Sequence, residues 1–255
     1  MNLPPPSPGI PAARGTPPAP HEPEGRKQRS DGVEARAHLL HAALRLFSEK
    51  GYAKTSIREI AGVAGANVAA IRYYFGDKAG LYRAAFTEPL GSPADDIALY
   101  NQHDFNLRQS LEGFFAGFLE PLRQGELVQL CTRLHIREIL EPTGLWAEEI
   151  NEGIKPALAA LVEVLCRHMG LQQADDDVHR LAFSITGMSM QLFIGRDVID
   201  AIRPQLFGSP EAIDRWAVSL ADYAEAMVAT DVARRRREAG TRPANQSAKQ
   251  EKKKS

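Results

Sequence analysis

Residues 57–76 read IREIAGVAGANVAAIRYYFG. Ile57, Ile60, Ala61 and Ala64 recur at i, i+3, i+4 and i+7, which stacks them on one face of a helix. Gly65 is expected to end that helix, because glycine takes positive φ without a Cβ clash and lets the chain reverse before Val68. Ala61 supplies the small side chain that a close helix crossing needs. Ile71 and Tyr74 then carry the packing face of a second helix, leaving Asn67, Ala69, Ala70, Arg72 and Tyr73 pointing elsewhere. Two short amphipathic helices around a tight turn, the second with a free face, suit the major groove of double-stranded DNA.

The flanks sharpen this reading. Upstream, Leu40, Ala43, Leu44 and Phe47 repeat at helical spacing and run into Gly51-Tyr52, a supporting helix with a glycine stop. Downstream comes YYFGDKAGLY. Together these residues resemble the DNA-binding domain of the TetR family of bacterial repressors. The matching positions are Phe47, Gly51, Tyr52, Thr55, Ser56, Ile60, Ala61, Ala64, Gly65, Tyr74, Phe75, Lys78 and Leu81. Farther along, Arg137-Glu138, Pro142 and Lys155-Pro156 resemble the C-terminal domain of the CecR-like subgroup.

The expected DNA contacts follow from position and from that resemblance. Ser56 or Thr55 caps the first helix of the motif, Glu59 completes a capping box with Ser56, and the free amides at that end face a phosphate. Lys78 matches the family's phosphate-contacting lysine, although a lone lysine is ordinarily a solvated charge. The family sets its aromatic pair against phosphates and base edges, which implies such contacts for Tyr73 and Tyr74, although Tyr74 reads first as a packing residue. Arg72 departs from the commoner aromatic at its position. It can grip a phosphate or reach guanine O6 and N7. Asn67, Ala69 and Ala70 face the groove floor, the alanines permitting close approach.

Net charge is −1, but the sum conceals a division. Residues 1–30 and 31–90 each carry an excess of two positive charges, residues 91–233 hold 10 basic against 22 acidic side chains, and residues 234–255 hold 9 against 2. The acidic block should be repelled by a polyanion, so only the motif and the chain ends can approach phosphates. Nine prolines before position 24 and little apolar content make 1–30 a disordered arm, with Arg26, Lys27 and Arg29 beside the first helix. Residues 234–255, with Arg234 to Arg237 and Lys252 to Lys254, read as a solvated basic tail.

Between the tails the expectation is all-α: helices near 34–51, 56–63, 67–75, 77–88, 106–123, 126–140, 145–169, 175–197 and 210–233. A reading head at 31–90 precedes a larger ligand-binding and dimerisation domain at 91–233. No run has the ~20 apolar residues a membrane helix requires, and the proline-rich start lacks the apolar core of a secretory signal. Cys131 and Cys166 fall in apolar helical segments and read as reduced, buried thiols of a cytoplasmic protein.

The family resemblance implies a homodimer, a pseudo-palindromic operator and a small-molecule effector; no cofactor and no metal are expected. Ala182, Ile185, Gly187, Met188, Leu192, Ala217, Leu220, Ala221 and Ala224 are candidates for a helix-pair interface. The effector candidates are Phe114, Phe118, Arg133, His135, Arg137, Trp146, Phe183, Met188 and Gln191, although aromatics at helical spacing mostly pack cores. Arg137 with Glu138 reads equally as a structural ion pair. Three rival readings stay open: an enzyme, for which none of the common nucleophile, phosphate-loop, dinucleotide or zinc motifs is found; a nucleoid protein binding without sequence choice; and a ligand-binding bundle with a vestigial DNA head.

Overall fold

Helical periodicity becomes helix along the described residues; the computed structural model describes the backbone of residues 24–241 and the side chains of residues 32–240. The helices are α1 (Glu24–Lys54), α2 (Ile57–Val63), α3 (Val68–Phe75), α4 (Lys78–Thr87), α5 (Ile97–Tyr100), α6 (Leu107–Leu119), α7 (Glu126–Leu140), α8 (Leu145–Glu149), α9 (Lys155–Met169), α10 (Asp176–Ile194), α11 (Arg196–Ile202) and α12 (Pro210–Thr241). A 3-10 turn at Glu120–Gln124 extends α6, another at Pro204–Phe207 precedes α12, and a π turn at Ile150–Ile154 joins α8 to α9. No strand occurs among the described residues.

Burial divides the apolar side chains into two clusters. The first gathers Leu39, Leu44 and Phe47 of α1, Ile60 and Ala61 of α2, Ile71 of α3 and Leu81 and Phe86 of α4; Leu130, Cys131 and Leu134 of α7 and Leu145 of α8 join it. The second holds Tyr100, Leu111, Phe115, Leu161, Val164, Ile185, Leu220 and Ala224. Each fully buried large side chain contributes about 1.5–3 kcal/mol from leaving water. Helix α7 spans both clusters, with Val128 in the second and Leu130, Cys131 and Leu134 in the first, and the chain crosses again between α8, on the first cluster, and α9, on the second. Both cysteines are thiols; Cys131 is buried as expected, whereas Cys166 is only half-buried, at the edge of the second cluster.

Seven glycines among the described residues take positive φ, and two of them shape the corners around α2. Gly51 takes φ 79° inside α1, and a Cβ there would lie 3.1 Å from Glu141 Oε2 at the end of α7. Gly65 takes φ 63° in a Schellman closure of α2: Ala66 N–H donates to the Ala61 carbonyl (2.9 Å) and Gly65 N–H to that of Gly62 (3.3 Å).

Several boundaries differ from expectation for long-range reasons. Helix α1 begins at Glu24, inside the segment expected as a disordered arm; residues 1–23 and Lys252 to Lys254 lie outside the described residues. The helix expected to run to 197 stops at Ile194, and α11 starts anew beyond Gly195. Helix α12 continues to Thr241 where a basic tail was expected from 234. Arg235 pairs bidentately with Asp175 (2.6 and 2.8 Å) and Arg234 reaches Asp177 (3.0 Å), which fastens the end of α12 to the start of α10. Those hydrogen bonds hold the Asp175 carboxyl well below the usual carboxylate range.

The turn supports a paired test. A side chain at either Gly62 or Gly65 meets nothing within 4 Å. Gly65→Ala should therefore destabilise by about 1–2 kcal/mol through its positive φ alone, while Gly62→Ala, inside α2, should stabilise by about 0.5–1 kcal/mol; urea denaturation reads both.

Candidate nucleic-acid interface and the helices behind it

The free face of α3 exists because the other residues of the motif are occupied in holding it. Ile71 is completely buried, and Asn67 caps the helix by accepting from Ala69 N–H at 2.8 Å. Asn67 stays exposed, but its carbonyl oxygen is committed to the backbone, so its first role is to fix where α3 starts. At the other end Gly76 N–H donates to the Arg72 carbonyl, and Asp77 caps α4 through Gly80 N–H (2.8 Å). What remains outward is Ala69, Arg72 and Tyr73, the last 82% exposed. Ala70 and Tyr74 are half-buried against the first cluster, and the Tyr74 ring meets the Tyr73 ring edge-on at 4.9 Å.

Thr55 and Ser56 separate into two roles. Ser56 is exposed and caps α2, accepting from Glu59 N–H at 3.1 Å. Thr55 is only 2% exposed, and its hydroxyl donates to the Gly51 carbonyl (2.8 Å), so its side chain holds the α1–α2 corner and is turned away from any phosphate. The expected capping box is half made, since the Glu59 carboxylate instead pairs with Lys50, which keeps it ionised below its ordinary range. Lys78 lies over the Tyr52 ring, its Nζ 4.3 Å from the centroid, a placement that aims the charge while leaving it half-exposed.

Two residues escaped the sequence reading. Arg36 of α1 pairs bidentately with Glu88 of α4 (2.7 and 2.9 Å) and stacks over Phe75 at the end of α3, 4.8 Å from the ring centre. Nothing local signals a contact 52 residues away. Arg58 is exposed on α2, and there the signal existed: it falls between the packing positions Ile57 and Ile60, on the outer side.

The effector candidates do not form one pocket. Phe114 is buried edge-on to Tyr100 (5.4 Å) and leads through Phe118 to Phe193 in the second cluster, where Met188 also packs. His135 stacks on Phe86 (4.1 Å) with Trp146 at 6.3 Å in the first cluster; burial lowers the histidine's pKa, and its Nδ1 lies 2.8 Å from the Cys131 carbonyl. Phe183 and Gln191 are exposed on α10 and Arg133 is exposed on α7. Arg137 and Glu138, read as an ion pair, point to different partners. Arg137 donates to the Glu49 carbonyl of α1, two residues before Gly51 (3.1 Å), and pairs with Glu141, while Glu138, fully buried, accepts from the Tyr82 hydroxyl (2.8 Å).

The interface candidates also divide. Ala182, Ile185, Leu192, Leu220, Ala221 and Ala224 are buried within the chain's own second cluster, which removes them from any contact with a partner. The exposed apolar positions of the same helices are Phe183, Met190 and Ile194, with Gly187 between them, and Val218 and Tyr223.

Comparison with known proteins finds two matching regions. Residues 39–85 match the family model described as bacterial regulatory proteins, tetR family, and residues 107–230 match that of the C-terminal domain of the HTH-type transcriptional dual regulator CecR. The chain is 28% identical over 179 residues to the dual regulator CecR of Shigella flexneri, covering 66% of this chain and 79% of that protein. It is 46% identical over 57 residues to the regulator AcrR of the same organism, covering 22% of this chain and 26% of that one. Among solved structures, the TetR-family regulator PfmR from Thermus thermophilus superposes with a TM-score of 0.54 at 17% identity, covering 73% of this chain and 96% of that one. FadR from Bacillus subtilis, in complex with stearoyl-CoA, gives 0.54 at 18%, covering 74% and 96%. At such identities the two structures show a shared fold.

Arg72, exposed on α3, and Lys78, held over Tyr52, call for separate tests of DNA binding. Arg72→Ala should cost roughly 1–3 kcal/mol at the preferred site, while Lys78→Ala should weaken all sequences about equally and lower the salt slope by about one. Fluorescence anisotropy on preferred and scrambled duplexes at several salt concentrations measures both.

Proposed function

We propose that this chain, a TetR-family transcriptional regulator with a CecR-type C-terminal domain, is a homodimeric repressor released from a pseudo-palindromic operator by a small-molecule effector. One observation carries the DNA-reading part: α3 is capped and buried on one side while Ala69, Arg72 and Tyr73 stand clear on the other. Arg72 and Tyr73 take the base edges, and Ala69 lets the helix approach them. Lys78, Arg58 and the amides at the start of α2, where Ser56 sits, take phosphates. The head spans 31–90 and the regulatory part 91–233.

An eight-residue reading helix covers too few base pairs for a selective site, which favours two copies on two half-sites. The stripe of Phe183, Gly187, Met190 and Ile194, spaced at four, three and four residues, lies on one face of α10 and supplies an apolar surface for the partner copy. On α12 the exposed large apolar side chains are Val218 and Tyr223. The effector acts among the helices of 106–197. Phe114, Phe118 and Met188 on the apolar side of the second cluster favour an apolar or aromatic compound, in keeping with a fold neighbour that holds stearoyl-CoA. None of the described helices is long and apolar enough to cross a membrane, and the reading places the protein in the cytoplasm, on DNA when bound.

Sedimentation should show a dimer at micromolar concentration whose recognition helices sit about 34–36 Å apart or a multiple of the helical turn. Phe183→Glu should convert it to monomers and abolish operator selectivity. A monomer in the wild-type protein, both free and on DNA, would overturn the assembly. Thermal-shift screening should find an apolar compound that stabilises the free protein and weakens operator binding by about 5- to 150-fold, since linkage makes the two effects reciprocal. A compound that stabilises without touching DNA affinity would contradict release.

A further inference from the structure

Adjacent residues on one turn of α7 reach two different helices of the reading head. Arg137 donates to the Ser48 carbonyl (3.4 Å) and the Glu49 carbonyl (3.1 Å) of α1, just before the helix breaks at Gly51. Glu138 is the only buried carboxylate among the described residues, and every donor around it is identifiable. Tyr82 of α4 donates its hydroxyl at 2.8 Å; from the α7–α8 turn come the Thr143 hydroxyl (2.9 Å) and the amides of Thr143 (2.7 Å), Gly144 (3.1 Å) and Leu145 (3.1 Å). A buried charge keeps its place only while it is fully hydrogen-bonded, because each lost donor leaves it less compensated. Tyr82 and the α7–α8 turn are therefore held in register by one group.

A second observation stands just beyond that turn. Helix α8 packs on the first cluster through Leu145 and Trp146 and pairs Glu148 with Arg83 of α4, whereas α9 packs on the second cluster. Between them lies the π turn at Ile150–Ile154, a one-residue excess in an otherwise continuous helix. Such wide turns change register at modest cost, and they sit here at the boundary between the two clusters.

We propose that Glu138 is the positioning residue through which the C-terminal helices set the orientation of the reading head: displacement of α8 at the π turn moves the Thr143–Leu145 amides, and the carboxylate carries that displacement to Tyr82 and so to α4 and α3. This rests on the DNA-reading function above and assigns the route by which its two halves communicate. Coupling of this kind is reciprocal, so binding DNA at α3 must alter the surroundings of α8.

Trp146 is the natural reporter, because the only other tryptophan, Trp216, can be replaced by phenylalanine. The test uses the full-length chain carrying Trp216→Phe and an operator duplex recovered by selection from genomic fragments. Saturating duplex should change Trp146 emission. In Tyr82→Phe and in Thr143→Val, each of which removes one donor while leaving the apolar contacts, the change at saturation should fall by about fivefold or more while helicity and unfolding cooperativity persist. A Trp146 response that is absent in the parent, or unchanged in both variants, overturns the coupling and leaves DNA reading intact. Failure of the parent to select any duplex overturns the DNA-reading function and this inference with it.

Discussion

A helix of eight residues does not persist in water by itself, because nucleation fixes several residues for one hydrogen bond and too few bonds follow. Helix α3 therefore depends on what lies behind it. Ile71 is its single fully buried side chain, seated with Ile60 and Ala61 of α2 and Leu44 and Phe47 of α1. Asn67 closes one end, Gly76 the other, and Arg36 holds Phe75 from α1. Every outward residue of the motif is free because an inward one is fixed.

The same dependence explains why the head is not an independent appendage. Its apolar cluster is completed by Leu130, Cys131, Leu134 and Leu145 from α7 and α8, so the cluster that supports α3 includes helices from the following part of the chain. Arg137 and Glu138 add directional contacts to that shared cluster. Apolar packing tolerates sliding, whereas a buried carboxylate with five donor groups does not. A head joined in this way is tied to α7 and α8 by directional hydrogen bonds as well as by apolar packing.

Much of this was legible from spacing alone. The i, i+3, i+4, i+7 pattern in 57–76 placed α2 and α3, and the glycines at 51 and 65 placed the breaks, because those features are local. Thr55 and Ser56 were not separable by pattern: both are hydroxyl residues ahead of a helix, and only tertiary burial assigns one to the corner and the other to the cap. Helix α10 carries apolar residues on two faces, so periodicity could not tell which stripe the chain covers itself; Ala182 and Ile185 went inward and Phe183 outward. Arg234, Arg36 and Glu138 were opaque for a common reason. Their partners Asp177, Glu88 and Tyr82 lie 57, 52 and 56 residues away, beyond any local rule.

The central claim, that the outward face of α3 meets base edges, is tested most directly by photocrosslinking. Benzoylphenylalanine placed at position 73, bound to a selected duplex and irradiated, should attach to major-groove bases symmetrically in both half-sites, while the same group at exposed position 202 on α11 should attach to no DNA. Crosslinks from 202 equal to those from 73, or attachment at 73 scattered without preference for sequence, would contradict the account.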